Sequence, residues 1–432
     1  MTATSAATTG TVAPRVERVP LRALPLRCRN CGHLADAAPQ ALCFECLGPL
    51  EPAYDDGRAL PDRATIAGRE PSLWRYREWL PFDGEPVYAR QVGWTPLVEA
   101  PRIAKRLGVA RAWIKNDSVS HPSLSFRDRV VAAAMNAAAS FGIRTVGCAS
   151  TGNLANAVAA QAAREGLEAW IFIPHDLELG KIVNSSVFAP RLVRVRGTYD
   201  DVNRLCAQVA DRFGWGIVNV NLRSYYGEGS KTMAFEIAEQ LGWRLPTAVV
   251  APMAGGSLVT KLRKGFAEFT KAGLVEGLAP RIFGAQASGC APIARLVQNG
   301  GELTPEIPHT IARSIAIGNP ADGRYAARAM IESGGWAAHV SDEDIVKGIR
   351  ILAEEAGIFT ETAGGATVAA TMALAAEGRF APDDEVVLCI TGNGLKTTDA
   401  VAPVLPAAPV IEPKLREVAR LVEEARGSSA SE

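Results

Sequence analysis

The chain has 432 residues, of which 48% are hydrophobic and 21% are charged, enough for two or three domains with a large buried core. Its 46 basic residues equal its 46 acidic residues and no basic block stands apart, so the charge pattern argues against nucleic acid or an anionic membrane as a partner. No apolar run approaches the roughly 18 residues that a membrane span requires.

The N-terminal segment lacks both the charged start and the continuous apolar stretch of a signal peptide, and we expect residues 1–20 to form a disordered tail. This pattern predicts a cytoplasmic protein. In that compartment the eight cysteines stay reduced unless they hold a metal.

Half of the cysteines form two C-x2-C pairs within residues 21–52, namely Cys28, Cys31, Cys43 and Cys46. Each pair places two thiolates on one tight turn, which is how structural zinc sites are built. Chance pairs of reduced cysteines, or a redox pair, are the alternatives. Four cysteines within nineteen residues favour structural zinc in a zinc-ribbon-like module, without the basic clusters of a nucleic-acid-binding ribbon. The remaining cysteines are predicted core residues: Cys148, Cys206, Cys290 and Cys389.

After a connector with a short predicted helix at 74–82, short β-rich runs alternate with longer helical patterns. Strands are predicted at 145–150, 169–174, 191–197, 216–221, 247–253, 281–288 and 385–391. Helices are predicted at 202–213 and at 344–357, the second with an S-x-x-D cap that begins at Ser341. Continuous apolar strands between helices indicate an α/β fold with parallel sheets covered on both faces. After residue 407 we expect one short amphipathic helix and a disordered end, GSSASE.

Three glycine-containing loops follow predicted strands and precede predicted helices. In parallel α/β proteins the carboxyl ends of the strands gather ligands, and a helix N-terminus offers backbone N–H groups to a phosphate. One such loop alone is weak support, because glycine there is usually turn chemistry. The residues concerned are Ser150, Thr151, Gly152 and Asn153 in the first loop, Ala254, Gly255, Gly256, Ser257 and Leu258 in the second, and Thr391 in the third.

Together with the segment SFRDR at 125–129, these loops resemble the fold-type-II pyridoxal-phosphate (PLP) family, which includes threonine synthase, threonine dehydratase and cysteine synthase. The likeness covers roughly residues 20–405 and points to the threonine synthase branch. Further segments that carry it are WTPLVEAPRIAKRLG (94–108), TIARSIAIGNPADG (310–323), GIFTETAGGA (357–366) and TGNGLKTTD (391–399).

The resemblance implies two parallel-sheet α/β domains with a cofactor cleft between them, beside the zinc-ribbon-like module. The larger domain is expected at 53–117 and 226–405, the smaller at 118–225, and a C-terminal helix with a flexible tail at 406–432. It also implies a homodimer, an amino-acid substrate that carries a phosphate in some members, and PLP-dependent elimination or replacement.

By the same matching, Asn153 would bond the PLP 3′-oxygen, the loop from Ala254 to Leu258 would cradle its phosphate, and Thr391 would meet the pyridine nitrogen. Phe126 would line the pocket beside the ring. Polar groups around the substrate would come from Ser150, Thr151, Asn221, Lys181 and Lys231. The chain departs from the family at His121, where asparagine is usual, and at Ser257-Leu258, where the usual loop ends in Gly-Asn.

The largest departure is Arg127, which occupies the position of the lysine that forms the internal aldimine with PLP in this family. A guanidinium stays protonated at any relevant pH, so it cannot attack the PLP aldehyde or serve readily as a base. Lys115, Lys181 and Lys231 are the candidates to substitute for the lysine, and an ordinary structural role is the alternative for each.

Three interpretations of the arginine follow. The first is an enzyme that holds PLP non-covalently or uses an external aldimine directly, possible substrates including O-phosphohomoserine. The second is a non-catalytic protein that binds or senses PLP or an amino-acid phosphate. The third is an ordinary threonine synthase with a laboratory exchange at residue 127.

Overall fold

The computed structural model describes residues 20–55, 57–150, 152–175, 179–197 and 199–429, without the side chains of 179–181, 199–200 and 426–429. The predictions for the N-terminal tail up to residue 19, for Thr151, for the side chain of Lys181 and for the last three residues lie outside this part of the chain. None of the helices in the described ranges combines the length and apolarity that a membrane crossing needs.

Strands and helices alternate along most of the chain. The strands are β1 (Arg22–Ala23), β2 (Leu26–Cys28), β3 (Leu34–Ala35), β4 (Leu50–Pro52), β5 (Phe82–Asp83), β6 (Leu97–Glu99), β7 (Arg111–Asn116), β8 (Thr145–Ala149), β9 (Glu168–Pro174), β10 (Arg191–Val195), β11 (Gly216–Ile217), β12 (Ala248–Pro252), β13 (Arg281–Ala287), β14 (Ala337–Val340) and β15 (Glu385–Ile390). The helices are α1 (Arg63–Ala67), α2 (Pro101–Leu107), α3 (Arg127–Ser140), α4 (Asn153–Glu165), α5 (Leu179–Ser186), α6 (Tyr199–Phe213), α7 (Arg223–Tyr226), α8 (Lys231–Gln240), α9 (Ser257–Lys271), α10 (Pro292–Asn299), α11 (Gly323–Glu332), α12 (Asp342–Ala356), α13 (Thr362–Ala376) and α14 (Leu415–Ser429). Short 3-10 helices lie at Leu73–Trp79, Asp117–Val119, Gly227–Ser230, Arg313–Ile315, Gly394–Lys396, Thr398–Ala400 and Ala402–Val404.

Two sheets form the core, as the continuous apolar strands predicted. The larger has the order β14-β13-β12-β15-β7-β6 and is parallel except for the β6–β7 pair. The smaller has the order β10-β9-β8-β11 and is parallel throughout. Every residue of β12 and β15 is buried, because helices cover both faces of the larger sheet there.

The two sheets draw on different parts of the sequence. The smaller sheet lies within the predicted 118–225 segment, and the strands of the larger sheet lie on either side of it. The domain limits themselves stay a prediction. The chain also contains a separate compact unit, Thr398–Glu432, in which α14 is the predicted C-terminal helix. This helix continues to Ser429, and the flexible tail stays a prediction.

Local polar bonds explain where the predicted elements end. The predicted strand at 216–221 stops at Ile217, because the Asn221 carbonyl oxygen accepts from Ile217 N at 2.8 Å and its amide donates to Trp215 O at 2.9 Å. These bonds fold the chain into a turn instead of a strand. The predicted cap of α12 is confirmed, since Ser341 Oγ accepts from Asp344 N at 3.1 Å.

A buried ion cluster fixes the start of α3 against β7 and α8. Arg129 donates to Asp117 at 2.6 Å and to Glu236 at 2.7 Å, and Lys115 Nζ donates to Glu236 at 2.7 Å. All four side chains are fully buried, so two cations and two carboxylates neutralise one another out of contact with water. Burial alone would raise the pKa of Glu236, but Arg129 and Lys115 outweigh burial and lower this pKa to about 2.

We predict that Glu236→Gln destabilises the fold by about 3–5 kcal/mol, because it leaves buried cations without a partner charge. Urea denaturation followed by circular dichroism measures the change in the free energy of unfolding. The matched control is Glu332→Gln, which breaks an exposed pair with Arg263 and should cost about 0–1 kcal/mol. Equal effects of the two substitutions would contradict the structural role of the buried cluster.

Candidate active site

Backbone hydrogen bonds join the SFRDR segment to the TGNG segment. Phe126 N donates to Thr391 O at 2.9 Å, and Asn393 N donates to Leu124 O at 3.1 Å. The GIFTETAGGA segment joins the same arrangement, since Glu361 N donates to Gly392 O at 3.1 Å. Three segments that are distant in sequence therefore meet at the carboxyl end of β15, where parallel α/β proteins gather ligands. The convergence of the three glycine-containing loops stays a prediction.

Arg127 is the first residue of α3 and is partly exposed. Its Nη1 donates to the hydroxyl of Tyr226 at 2.5 Å, and its guanidinium lies 5.2 Å from the centroid of the Phe126 ring. Phe126 and Thr391 are both buried beside it. Within the described residues, the Thr391 hydroxyl makes no hydrogen bond, so it is available to a ligand. The Tyr226 hydroxyl thus orients the permanently charged Arg127 guanidinium at the N-terminal end of α3.

The first loop is capped by its own serine. Ser150 Oγ accepts from Gly152 N at 3.1 Å and from Ala155 N at 3.0 Å, which satisfies two free donors at the start of α4. Asn153 Nδ2 then donates to both carboxylate oxygens of Glu361 at 2.8 Å. The amide that the resemblance assigns to the PLP ring is therefore oriented by a carboxylate from another loop.

A narrow cleft opens beside Asn153. Its charged lining residues are Glu361, Arg313 and Lys396, of which Lys396 follows Thr391 in the TGNGLK segment. Burial lowers the pKa of Lys396, although Glu361 and Asp128 act in the opposite direction. Burial also raises the pKa of Asp128 to about 6, against hydrogen bonds from Ser123 and Gln161. Lys396 thus lines the cleft with a lowered pKa, and the buried Asp128 outside the lining has a raised pKa.

The second loop combines a strained position with an open one. Gly256 has φ +92°, and a Cβ there would lie 2.9 Å from Ala326 Cβ and 3.0 Å from Asp322 O. At Gly255 a Cβ would meet no atom within 4 Å. The loop therefore leaves space directly before the N-terminus of α9, a 15-residue helix, whose first N–H groups have no partner within the helix.

Asp322 connects this loop to the cysteine module. Its N–H donates to Gly255 O at 3.0 Å, and its carboxylate accepts from Arg223 at 2.8 Å and lies 3.7 Å from Arg29. Arg29 also stacks over the Tyr325 ring at 3.8 Å, and the Tyr325 hydroxyl donates to Asn30 at 2.7 Å. The turn between Cys28 and Cys31 is thereby fixed against the N-terminal end of α11.

The four predicted metal ligands converge. The sulfur atoms of Cys28, Cys31, Cys43 and Cys46 all lie within 4.8 Å of one another, next to the three-stranded antiparallel sheet β3-β2-β4. Two of the separations are 3.4 Å, between Cys28 and Cys46, and 3.8 Å, between Cys31 and Cys43. Tetrahedral zinc with Zn–S bonds of about 2.3 Å requires sulfur separations of about 3.8 Å, so the cluster fits this ion. The other four cysteines are buried, as predicted.

Three other predicted site residues have structural contacts away from the cleft. Lys115 Nζ is buried and also donates to Thr95 O at 2.6 Å and to Gln240 at 2.9 Å. Lys231 Nζ is buried between Glu228 at 2.7 Å and Glu268 at 2.9 Å. The side chain of Asn221 forms the turn described above. None of the three lines the cleft, so their contacts do not support the predicted catalytic and substrate-binding roles.

Four residues of the site escaped prediction as functional residues: Tyr226, Arg313, Glu361 and Lys396. Arg313, Glu361 and Lys396 occur in the segments TIARSIAIGNPADG, GIFTETAGGA and TGNGLKTTD. These segments support the family resemblance, so their membership in it was the sequence signal that could have identified the three residues. No sequence signal identified Tyr226, because only the folded chain brings its hydroxyl to Arg127.

We predict that Gly256→Ala destabilises the protein by about 1–3 kcal/mol, because a Cβ is strained at this φ and forces Ala326 or Asp322 to move. Gly255→Ala is the matched control and should change the free energy of unfolding by less than about 0.5 kcal/mol. Urea denaturation of both variants measures the difference. Equal stability of the two variants would show that the loop differs from this description.

Comparisons with known proteins agree with this geometry. The family described as pyridoxal-phosphate dependent enzyme matches residues 88–392. Threonine synthase of Methanocaldococcus jannaschii is 34% identical over 87% of this chain and 93% of its own, and that of Methanosarcina acetivorans is 33% identical over 90% and 96%. Among solved structures, the processed form of threonine deaminase isoform 2 from Solanum lycopersicum matches over 73% of this chain and 84% of its own, with a TM-score of 0.60 at 20% identity. The chain belongs to the pyridoxal-phosphate-dependent enzyme family, where it has threonine synthases as relatives.

Proposed function

We propose that this protein carries out PLP-dependent elimination or replacement on an amino acid, with PLP held non-covalently because Arg127 replaces the lysine of the family. The observation that carries the proposal is the meeting of Arg127, Phe126 and Thr391 at the carboxyl end of β15, which Glu361 links to Asn153. By the resemblance, a guanidinium stands at the position where the cofactor's aldehyde would be tethered, while Asn153, Phe126 and Thr391 match the ring-binding positions of the family.

The residues fit the cofactor on three points. The open space at Gly255, before the free N–H groups of α9, suits a phosphate. The unbonded hydroxyl of Thr391 suits a pyridine nitrogen, and the ring of Phe126 supplies an apolar wall. When bound there, PLP supplies the electron sink that stabilises negative charge next to an amino group.

Arg127 would act through its charge and its shape. Tyr226 orients the guanidinium, which then offers a bidentate pair of donors to a carboxylate or a phosphate. We infer that it binds an acidic group of the substrate, or of an amino acid already joined to PLP. O-Phospho-L-homoserine, the substrate that the resemblance suggests, carries both kinds of group, and threonine would be its product.

A second candidate is a non-catalytic protein that binds PLP or an amino-acid phosphate. The observation in its favour is that Lys115 and Lys231 are both buried and fully bonded in ion clusters, so neither replaces the missing lysine as placed. This candidate requires ligand binding without turnover, whereas the enzyme releases phosphate and threonine from O-phospho-L-homoserine at a rate above that of PLP alone.

We predict that the wild type binds PLP without a borohydride-stable label on Lys115 or Lys231, and that Arg127→Lys gains Schiff-base absorbance and a pyridoxyl label at residue 127. An amine at this position can attack the aldehyde, whereas a guanidinium cannot. Absorbance spectroscopy and peptide mass spectrometry provide the measurement. Arg164→Lys, an exposed exchange near His121, is the control and should gain neither signal. Absence of both signals in Arg127→Lys would place the cofactor elsewhere.

We also propose that the cysteine cluster holds one structural zinc ion. The purified protein should contain one equivalent of zinc by elemental analysis, and Cys31→Ser should lose it, whereas Cys206→Ala should keep it. Because a four-thiolate site contributes its binding energy to folding, Cys31→Ser should have a lower melting temperature. PLP affinity should fall as well, since Arg29 and Asn30 contact the residues that support the Gly255 loop. Full zinc content in Cys31→Ser would contradict this assignment.

A further inference from the structure

Lys396 has the surroundings of a reactive amine. It lines the same cleft as Asn153 and Glu361, and its side chain is partly exposed there. Among the described residues, its ammonium forms no hydrogen bond and no ion pair. Lys115 and Lys231 differ on both counts, since each is fully buried and bonded to carboxylates. Of these three lysines, Lys396 is therefore the one with an amine that can approach a bound substrate.

A rigid turn places Lys396 beside the start of α3. Residues Gly394–Lys396 form a 3-10 turn in which Lys396 N donates to Asn393 O at 3.2 Å. Asn393 fixes the turn at both ends, because its amide donates to Ser118 O at 3.1 Å and its side-chain oxygen accepts from Leu395 N at 3.0 Å. Since Asn393 N also bonds Leu124 O, the turn is held against the segment that carries Arg127.

Burial and the neighbouring charged groups shift the pKa of the Lys396 amine in opposite directions. Glu361 and Asp128 raise the pKa of its amine, but burial lowers the pKa further, so the net direction is downward. Arg313, which also lines the cleft, adds positive charge. A neutral amine at Nζ can accept a proton, and the two carboxylates then stabilise the ammonium that results.

We propose that Lys396 is the proton-transfer residue of the cleft, in the role that a guanidinium at position 127 cannot fill. This inference rests on the proposed function. In the step, the Cα–H bond of the bound amino acid breaks, its electron pair stays on the substrate, and the proton forms an N–H bond at Lys396 Nζ. The ammonium returns the proton to the substrate later, so Lys396 is regenerated without an external reactant.

The first test measures exchange of the Cα proton for deuterium by NMR, with PLP and O-phospho-L-homoserine in D2O. Lys396→Gln should lower the exchange rate at least about 100-fold, the usual contribution of a general base, while the dissociation constant for PLP changes less than about threefold. The control, Lys347→Gln on the exposed surface of α12, should exchange at the wild-type rate. In the wild type, the rate should rise with pH as the Lys396 amine loses its proton and then level off.

The second test does not depend on turnover. Trace acetylation of the protein without PLP over a range of pH, followed by mass spectrometry, reports the proton affinity of each accessible amine. Lys396 should react at lower pH than Lys347, because burial lowers the pKa of Lys396 while the bond to Asp344 raises the pKa of Lys347.

The outcomes separate the two proposals. Loss of exchange in Lys396→Gln, together with early acetylation of Lys396, supports the inference. Exchange that survives Lys396→Gln overturns the inference and leaves the proposed function intact. Acetylation of Lys396 and Lys347 with the same pH dependence also overturns the inference. A wild type that fails to bind PLP overturns the proposed function, and the role of Lys396 falls with it.

Discussion

The backbone pairing of residues 124–126 with residues 391–393 is the constraint on which the site depends. It joins the turn that leads into α3 to the loop at the carboxyl end of β15, and Glu361 extends the pairing through Gly392. Without it, the segment that carries Arg127 would not meet the segment that carries Thr391 and Lys396. Two supports hold this pairing in place, namely the buried ion cluster around Arg129 and the hydrogen bonds of Asn393.

The chain uses its cations in two distinct ways. Lys115, Lys231 and Arg129 are fully buried and matched by carboxylates, so their charges are fixed and serve the fold. Arg127 and Lys396 are only partly buried: Arg127 donates to the Tyr226 hydroxyl, and Lys396 lines the cleft beside Asn153, where a ligand can alter its surroundings. We infer a permanent charge at Arg127 and proton exchange at Lys396, whereas the resemblance implies that one lysine of the family forms the aldimine and also transfers protons.

Features of the fold that depend on local pattern were predictable from the sequence. Continuous apolar runs identified β12, β13 and β15 of the larger sheet and all four strands of the smaller sheet, and the S-x-x-D pattern identified the cap at Ser341. The strands β6, β7 and β14 were not predicted. The C-x2-C pairs identified four sulfur atoms that do converge. The predicted strand at 216–221 was wrong beyond Ile217, because the side chain of Asn221 competes with the sheet for backbone groups.

The contacts within the site were less predictable, because they depend on tertiary structure. The Asn153–Glu361 and Arg127–Tyr226 hydrogen bonds span 208 and 99 residues of sequence. No spacing rule links such positions. The sequence likewise does not show that carboxylates surround Lys115 and Lys231, so it leaves both lysines as candidates to replace the family's lysine.

The central claim is that PLP binds beside Arg127 without a covalent bond to the protein. A crystal structure of the wild type with PLP tests it most directly. We expect the phosphate at the N-terminus of α9 next to Gly255, the ring beside Phe126 and Thr391, and no continuous density from the aldehyde carbon to any side chain. A covalent link to a lysine, or PLP bound away from these residues, would contradict the account.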